Sequence, residues 1–342
     1  SYDDILEAVE KTLKGEKYLS FRPTDRLVDT GGGRIITTGG AYEYLRIAEG
    51  CAKHCTYCVI PKVRGGYRSI PMERLLDTAR QMVGEGVKEL IVIAQETTLY
   101  GTDLYGKKSL HILLEKLCRI EGLVWIRLLY CYPEEIYPEL VDTIAREPKI
   151  CHYLDLPIQH CSDSILKRMG RKTTKADLER IITEIRERIP DMVIRTTLIT
   201  GFPGETKEDH EELMQFVADM AFDRLGVFTY SPEEDTPAAA MENQVPEEVK
   251  EQRKAELMEL QQDISLELDQ ERIGEELLVF VEGKVADENA YVGRTYADAP
   301  GIDGYIFVNT GESLMTGDFV RVKVTGALEY DLIGEIADEY TE

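Results

Sequence analysis

Between residues 41 and 230 the chain alternates short apolar runs with amphipathic stretches. The runs fall at 42–48, 88–94, 124–130, 151–156, 192–200 and 225–230. Each has the length of a strand and is rich in Ile, Val, Leu or Tyr, as buried parallel strands are. The intervening stretches carry apolar residues at helical spacing. Leu75, Leu76, Ala79, Met82 and Val83 form one set, Leu110, Leu113, Leu114 and Leu117 a second, and Leu178, Ile181, Ile182 and Ile185 a third. Ser162 and Thr174 stand where N-caps of two successive helices are needed, between the fourth and fifth strands. Strand–helix alternation implies parallel strands joined by right-handed crossovers. Six units are too few to close an eight-stranded barrel, so the pattern predicts an α/β fold, an open partial (β/α)6 barrel over residues 41–239. Chemistry in such folds gathers at the C-terminal ends of the strands.

The pattern changes at about residue 240. Residues 247–272 are highly charged, with Leu257, Leu260, Ile264 and Leu268 spaced for one face of a long helix. That helix, within 240–273, would connect the barrel to a second domain. From Gly274 onward, short alternating runs appear at 277–282, 291–295, 305–308, 319–325 and 332–336, punctuated by glycines. Five short strands in this span predict a small all-β, OB-like barrel over 274–342. At the other end, Ile5, Leu6, Val9 and Leu13 fit one short helix, followed by an irregular stretch containing Gly31–Gly33. Residues 1–40 fit neither domain and read as a linker or the remnant of a longer chain.

Composition narrows the partners. Sixty-four acidic against 40 basic side chains give a net charge of −24. So negative a surface repels phosphate backbones, which makes free nucleic acid a poor partner and a basic protein, or a small neutral or cationic molecule, a better one. The same charge would also serve plain solubility. No stretch reaches the roughly 18 consecutive apolar residues a membrane span requires. The expectation is a soluble, cytoplasmic protein with no membrane partner.

The seven cysteines form two populations. Cys118, Cys131, Cys151 and Cys161 are scattered through apolar stretches, where free cysteine packs as a small hydrophobe. Cys51, Cys55 and Cys58 lie in a C-x3-C-x2-C loop directly after the first predicted strand. Three thiolates on one compact loop can each take one iron of a [4Fe–4S] cubane, leaving the fourth iron open for chemistry. Zinc would want a fourth ligand such as His54, His152 or His160, and His54 is constrained within the loop itself. Buried, inert thiols are the remaining reading.

The spacing, its place after the first strand and the flanking residues resemble the radical S-adenosylmethionine (SAM) superfamily. The segments Tyr44-Leu45-Arg46-Ile47-Ala48-Glu49-Gly50-Cys51 and Tyr57-Cys58-Val59-Ile60-Pro61-Lys62-Val63-Arg64-Gly65 are similar to the methylthiotransferases within it. The resemblance runs from about residue 40 to the C-terminus. It implies that the open iron binds SAM, that a reduced cluster cleaves SAM to methionine and a 5′-deoxyadenosyl radical, and that this radical abstracts hydrogen from an unactivated carbon. An electron donor such as flavodoxin or ferredoxin is then expected. Three strand ends supply the rest of the SAM site by the same resemblance. Gln95 and Glu96 end the second strand, beside Thr97 and Thr98. Gln159 and His160 follow the fourth, near the SAM ribose, with Asp155 as a structural alternative. Arg195 on the fifth strand would face the SAM carboxylate, and Gly201 and Gly204 would let the backbone approach the ligand closely. The Glu205-Thr206 pair would cap the helix beyond. Arg64 and Arg68 would neutralise the cluster, bind substrate or sit as surface charges.

The C-terminal segment resembles a TRAM domain, a module that is basic when it binds RNA. Here residues 274–342 carry fifteen Asp or Glu against four Lys or Arg, a net charge of −11. Such a barrel repels RNA and attracts a lysine- and arginine-rich ribosomal protein. The segments Ile93-Ala94-Gln95-Glu96-Thr97-Thr98-Leu99-Tyr100-Gly101 and Phe222-Asp223-Arg224-Leu225-Gly226-Val227-Phe228 are similar to the branch that methylthiolates an aspartate of small-subunit ribosomal protein twelve. A tRNA adenosine methylthiotransferase is the nearest alternative. A non-catalytic metal-binding interaction module is the alternative of another class. The family also carries an N-terminal domain with a second cluster, thought to supply the inserted sulfur. No second triad occurs in these 342 residues, so a chain truncated before its sulfur-donating domain is expected.

Overall fold

A computed structural model describes residues 4–24, 39 and 41–337. The glycine stretch at 31–33 lies outside the described residues. After helix α1 (Ile5–Leu13) the chain enters strands β1 (Tyr42–Arg46) and β2 (Ala48–Glu49), helix α2 (Ile60–Arg64) and strand β3 (Arg68–Ser69). Then come α3 (Met72–Gly84), β4 (Glu89–Ile93), α4 (Thr102–Tyr105), α5 (Leu110–Cys118), β5 (Trp125–Leu128), α6 (Pro138–Arg146) and β6 (Ile150–Asp155). The α/β part closes with α7 (Asp163–Arg168), α8 (Lys175–Arg188), β7 (Val193–Thr200), α9 (Lys207–Met220) and β8 (Arg224–Thr229). Strands β1, β4, β5, β6, β7 and β8 form one parallel sheet in that order, open at both edges. All six predicted strands are present, and the partial barrel is the observed architecture.

The two faces of this sheet are distinct. Outward side chains such as Leu45, Leu90, Val92, Leu128, Leu154 and Ile194 are buried against Leu75, Leu113, Leu140, Ile182 and Leu213 of the helices. Thr174 caps α8 with a reciprocal bond pair to Asp177, as expected of its position. Ser162 occupies the cap position of α7, but its hydroxyl is committed to Asp209 of α9 and caps nothing. Thr206, not Glu205, caps α9, again through Asp209.

Helix α10 (Glu247–Glu271) runs where the charged segment predicts it, but of the predicted leucine face only Leu257 is on its fully buried side. The buried positions are Lys250, Arg253, Leu257, Gln261, Ser265 and Asp269, five of them polar. Lys250 donates to the Tyr230 carbonyl at 2.8 Å, Gln261 to the Phe222 carbonyl at 2.7 Å, and Arg253 pairs with Glu205 at 2.8 Å. The helix lies across loop ends that expose carbonyls, and hydrogen bonding satisfies them where leucine could not. Leu260 and Ile264 pack at its margin.

Strands β9 (Glu276–Lys284), β10 (Ala290–Arg294), β11 (Ile306–Asn309), β12 (Phe319–Ala327) and β13 (Leu332–Ile336) close into a small barrel in the order β10-β11-β13-β12-β9. This barrel plugs the large one from below. Trp125, at the start of β5, meets Phe319 edge-on at 4.8 Å, and Tyr42 and Tyr153 join the same apolar cluster with Phe280. Beside it, Glu89 accepts from Arg127 at 2.8 Å and from Arg294 at 2.7 Å, with all three side chains fully buried. Arg224 pairs with Asp298 at 2.9 Å. Tyr42, Glu89, Trp125 and Arg224 are the first residues of their strands, so the opposite mouth of the sheet is left for chemistry. Among the described residues, no helix is long and apolar enough to cross a membrane.

Candidate functional site

The cysteine loop leaves β2 at the C-terminal mouth of the sheet and is fixed from three sides. Gly50 N–H donates to Gln95 Oε1 at 2.7 Å, joining the loop to the end of β4. Thr56 donates through its backbone to the Met169 carbonyl at 2.9 Å and through its hydroxyl to the Arg168 carbonyl at 2.8 Å. Ala238 N–H in turn donates to the Thr56 carbonyl at 2.9 Å. Cys51 and Cys55 are buried and Cys58 is half-buried. Burial pushes the Cys51 thiol up to about 11 and raises that of Cys58.

Thiols so placed resist ionisation on their own, because a thiolate buried beside others is disfavoured. A metal that replaces the proton removes that cost. Lys53 N–H, 3.4 Å from Cys51 Sγ, is oriented to support a thiolate. Among the described residues no three His, Cys, Asp or Glu side chains surround a point closely enough to hold a single metal ion. A donor set of three thiols on one loop fits a cluster with one open iron, each sulfur binding a different metal.

Glu96, just beyond β4, is close enough to Cys51 for its charge to bear on that thiol. It is fully buried, and Oε1 accepts from the Thr98 N–H at 2.9 Å and from the Thr98 hydroxyl. Its Oε2 is buried with no hydrogen-bond partner among the described residues. Burial pushes its carboxyl up to about 7 despite Lys53, which instead pairs with Glu134 at 3.6 Å and with Glu135. A buried acceptor left open awaits a donor such as a ligand ammonium.

The raised carboxyl fixes a sign. The folded chain holds a proton on Glu96 that the unfolded chain loses above its ordinary value of 4.5. Stability therefore falls as pH rises from 4.5 to about 7 and stays low above that. Glu96→Gln is expected to stabilise the cluster-free chain by about 3 kcal/mol at pH 8 and by almost nothing at pH 4. Anaerobic urea unfolding at the two pH values checks this. Equal gains at both would mean that Glu96 is ionised at little cost.

The other predicted residues divide into two groups. Asp155 and Arg195 face the barrel interior: Arg195 Nη1 donates to Asp155 Oδ1 at 2.8 Å, and Asp155 Oδ2 accepts from Tyr130 N–H at 2.9 Å. Arg195 Nε also lies 3.3 Å from Asp303 of the small barrel, so its charge is held between two carboxylates rather than left open for a third. Asp155 is correspondingly a satisfied carboxylate. Gln159 bridges to Leu198 with φ of 71°, and Tyr130 has φ of 60°, conformations that side chains other than glycine adopt at a cost. Both end strands at the mouth, where such strain collects around functional groups.

His160, Gly201 and Gly204 lie behind that mouth. His160 is fully buried, accepts from Ser162 N–H at 2.9 Å through Nδ1, and points Nε2 toward Glu205 at 3.9 Å. Burial pushes it down to about 3, so it is a neutral packing group. The glycines, at φ of 68° and 85°, do permit close approach, but of the protein's own side chains. A Cβ on Gly201 would meet Lys250 Cγ at 2.1 Å, and one on Gly204 would meet Arg168 Cζ at 2.7 Å. Arg64 pairs with Glu49 at 3.2 Å, and Arg68 donates to the Arg64 carbonyl at 2.9 Å. Both therefore stay with the loop's own frame. The four scattered cysteines are all buried, as packing residues are. What the sequence did not single out is the wall around Cys55, made by Tyr132, Glu134 and Arg171, for which no local spacing gives a signal.

Residues 45–217 match the model of the radical SAM superfamily, and residues 273–337 match that of the TRAM domain. The chain is 60% identical over 334 residues to the ribosomal protein uS12 methylthiotransferase RimO of Lachnoclostridium phytofermentans, spanning 98% of this chain and 76% of that protein. It is 50% identical over 342 residues to the enzyme of the same name from Clostridium botulinum, strain Hall, spanning 100% of this chain and 76% of that one. Among solved structures, coproporphyrinogen III oxidase from Escherichia coli, a radical SAM enzyme, aligns with a TM-score of 0.47 and 18% identity. That alignment covers 69% of this chain and 54% of that one.

Proposed function

Because the chain belongs to the radical SAM superfamily and, within it, to the ribosomal protein uS12 methylthiotransferases, we propose that it methylthiolates an aspartate of uS12. Cys51, Cys55 and Cys58 hold one [4Fe–4S] cluster in this reading, and Gln95 and Glu96 border the SAM that binds beside it. When bound, the cluster and SAM supply a 5′-deoxyadenosyl radical, given one electron from a donor of the flavodoxin or ferredoxin class. The chain's own part is placement. Gln95 ties the cysteine loop to the sheet, buried Glu96 offers an open acceptor to the SAM ammonium, and Asp155 fixes Tyr130 at the mouth while pairing with Arg195 below it. Gln159 faces the same opening, whereas His160, Gly201 and Gly204 support its rear wall. Residues 41–239, 240–273 and 274–342 then act as SAM domain, connecting helix and substrate-binding barrel.

The observation that carries this reading is the juxtaposition of the three-cysteine loop with Gln95 and the unpaired Glu96 oxygen at the C-terminal mouth. The experiment is anaerobic reconstitution with iron and sulfide, followed by reduction in the presence of SAM, with 5′-deoxyadenosine as the readout. A reconstituted chain that yields no 5′-deoxyadenosine overturns it.

The net charge of −11 on residues 274–342 selects the partner. One of the four basic residues there, Arg294, is consumed by Glu89 and Glu282 in the interior. Binding of uS12 is expected to weaken steeply as salt rises, with little competition from tRNA at physiological ionic strength. Fluorescence competition titrations with both partners decide it. Tight, salt-sensitive tRNA binding would favour the adenosine-modifying branch instead.

A further inference from the structure

Arg171 is a buried charge with unused hydrogen-bonding capacity beside the cysteine loop. It ends the turn after α7 that Thr56 clasps through the Arg168 and Met169 carbonyls. Its side chain is 1% exposed. Nη2 donates to the Pro157 carbonyl at 3.1 Å and reaches Glu134 at 3.4 Å. The guanidinium carbon lies 4.5 Å from the ring centre of Tyr132, whose hydroxyl is 4.0 Å from Cys55 Sγ. Nε and Nη1 are buried without a hydrogen-bond partner among the described residues. Arg171 and Cys55 line one cavity of about 120 Å³, together with Ala52, Lys53, His54 and Glu134.

An arginine stays charged whatever its surroundings, and buried donors left unmade are costly. Glu134 and Tyr132 account for one edge and one face of the guanidinium. The other edge needs an acceptor that the protein does not supply. A cluster carried by three thiolates is anionic, with sulfur acceptors in the corner that Cys55 occupies.

On the reading that Cys51, Cys55 and Cys58 carry the cluster, we propose that Arg171 is its built-in counter-charge. Its free edge donates to the sulfur atoms on the Cys55 side and raises the cluster's reduction potential. Reduction adds one electron from a low-potential one-electron donor and moves no proton or leaving group. The reduced cluster is the more negative of the two states, so a fixed neighbouring cation favours it. Lysine at this position would keep the charge but lose the planar fork.

The test is an anaerobic redox titration of the reconstituted wild type, R171Q and R171K, read by the electron paramagnetic resonance of the reduced cluster. The signal is scaled to the cluster present, so partial loading does not distort the midpoint. In R171Q the reduced-to-oxidised ratio at a given potential is expected to fall about tenfold, a downward shift of about 59 mV for one electron. R171K is expected to recover most of that shift. A wild-type midpoint in R171Q, or an equal shift in both variants, overturns the proposal, because the charge would then not set the potential. Failure of the wild type to hold any cluster is a separate result, and would overturn the reading of the cysteine loop itself.

Discussion

Cys55→Ala is expected to abolish cluster assembly and, with it, reductive cleavage of SAM. Cys55 is the middle thiol of the loop, 7% exposed, and its Sγ faces Tyr132 and the cavity it shares with Arg171. Each of the three thiols has one iron to bind, so no neighbour can replace a lost one. Cys131 and Cys161, though fully buried, belong to the apolar core behind the sheet. Loss of an outer-shell partner alone commonly costs a metal site 10- to 100-fold, so loss of a ligand should cost more. Production of 5′-deoxyadenosine is expected to drop by at least about 10³-fold, and iron and sulfide per chain to fall in parallel. Cys118→Ala, a thiol buried at the end of α5, is the matched control and should keep both. The removed atoms are few, so the fold survives, and circular dichroism separates a lost cluster from a lost structure. Equal cleavage by wild type and Cys55→Ala would sink the assignment of this loop.

The readable and unreadable parts of this molecule differ in range. The six parallel strands, the five strands of the small barrel and the helices between them follow from periodicity, because each buries a local face. The cysteine loop was legible for a similar reason, since its three sulfurs lie within eight residues. The polar docking of α10 was not. Its leucines at helical spacing suggested an apolar face, but what it meets is carbonyl groups from loops that sequence does not place beside it. Gly201 and Gly204 were legible as positions needing close approach, but not as to what approaches. Lys250 comes from a helix beyond the next strand. Arg171 is the extreme case, because its neighbours Tyr132, Glu134 and Cys55 converge only once three βα loops are folded together.

The junction of the two barrels gives the largest expected effect on stability. Arg294 on β10 and Glu89 on β4 are 205 residues apart and meet at 2.7 Å with neither exposed. Arg127 completes the group, bonded both to Glu89 and to the carbonyl oxygens of Thr295 and Tyr296. The two guanidinium groups hold the Glu89 carboxyl below its ordinary value even though it is wholly buried. Arg294→Met removes one charge and leaves Glu89 and Glu282 without it. Breaking a buried pair in this way costs about 3–5 kcal/mol. For a chain of this size the melting temperature should fall by roughly 4–7 °C.

The sign with pH is fixed by the same group. A depressed carboxyl contributes stability that is present above 4.5 and lost as pH falls through its folded value. With Arg294 gone, burial is opposed by Arg127 alone, so Glu89 takes up a proton more readily and the variant loses less on acidification. The deficit of Arg294→Met should therefore be greatest near pH 7 and shrink toward pH 4. Glu89→Gln combined with Arg294→Met should cost less than the two single changes added, because the second removes a charge that the first has already left unneeded. Calorimetry on the four proteins at both pH values measures each of these. The cysteine loop sits at the other mouth of the sheet, so variants kept well below their melting point should still load iron. Additive losses in the double variant would mean that the two barrels are joined by the Trp125–Phe319 packing, with the buried ion pair contributing little.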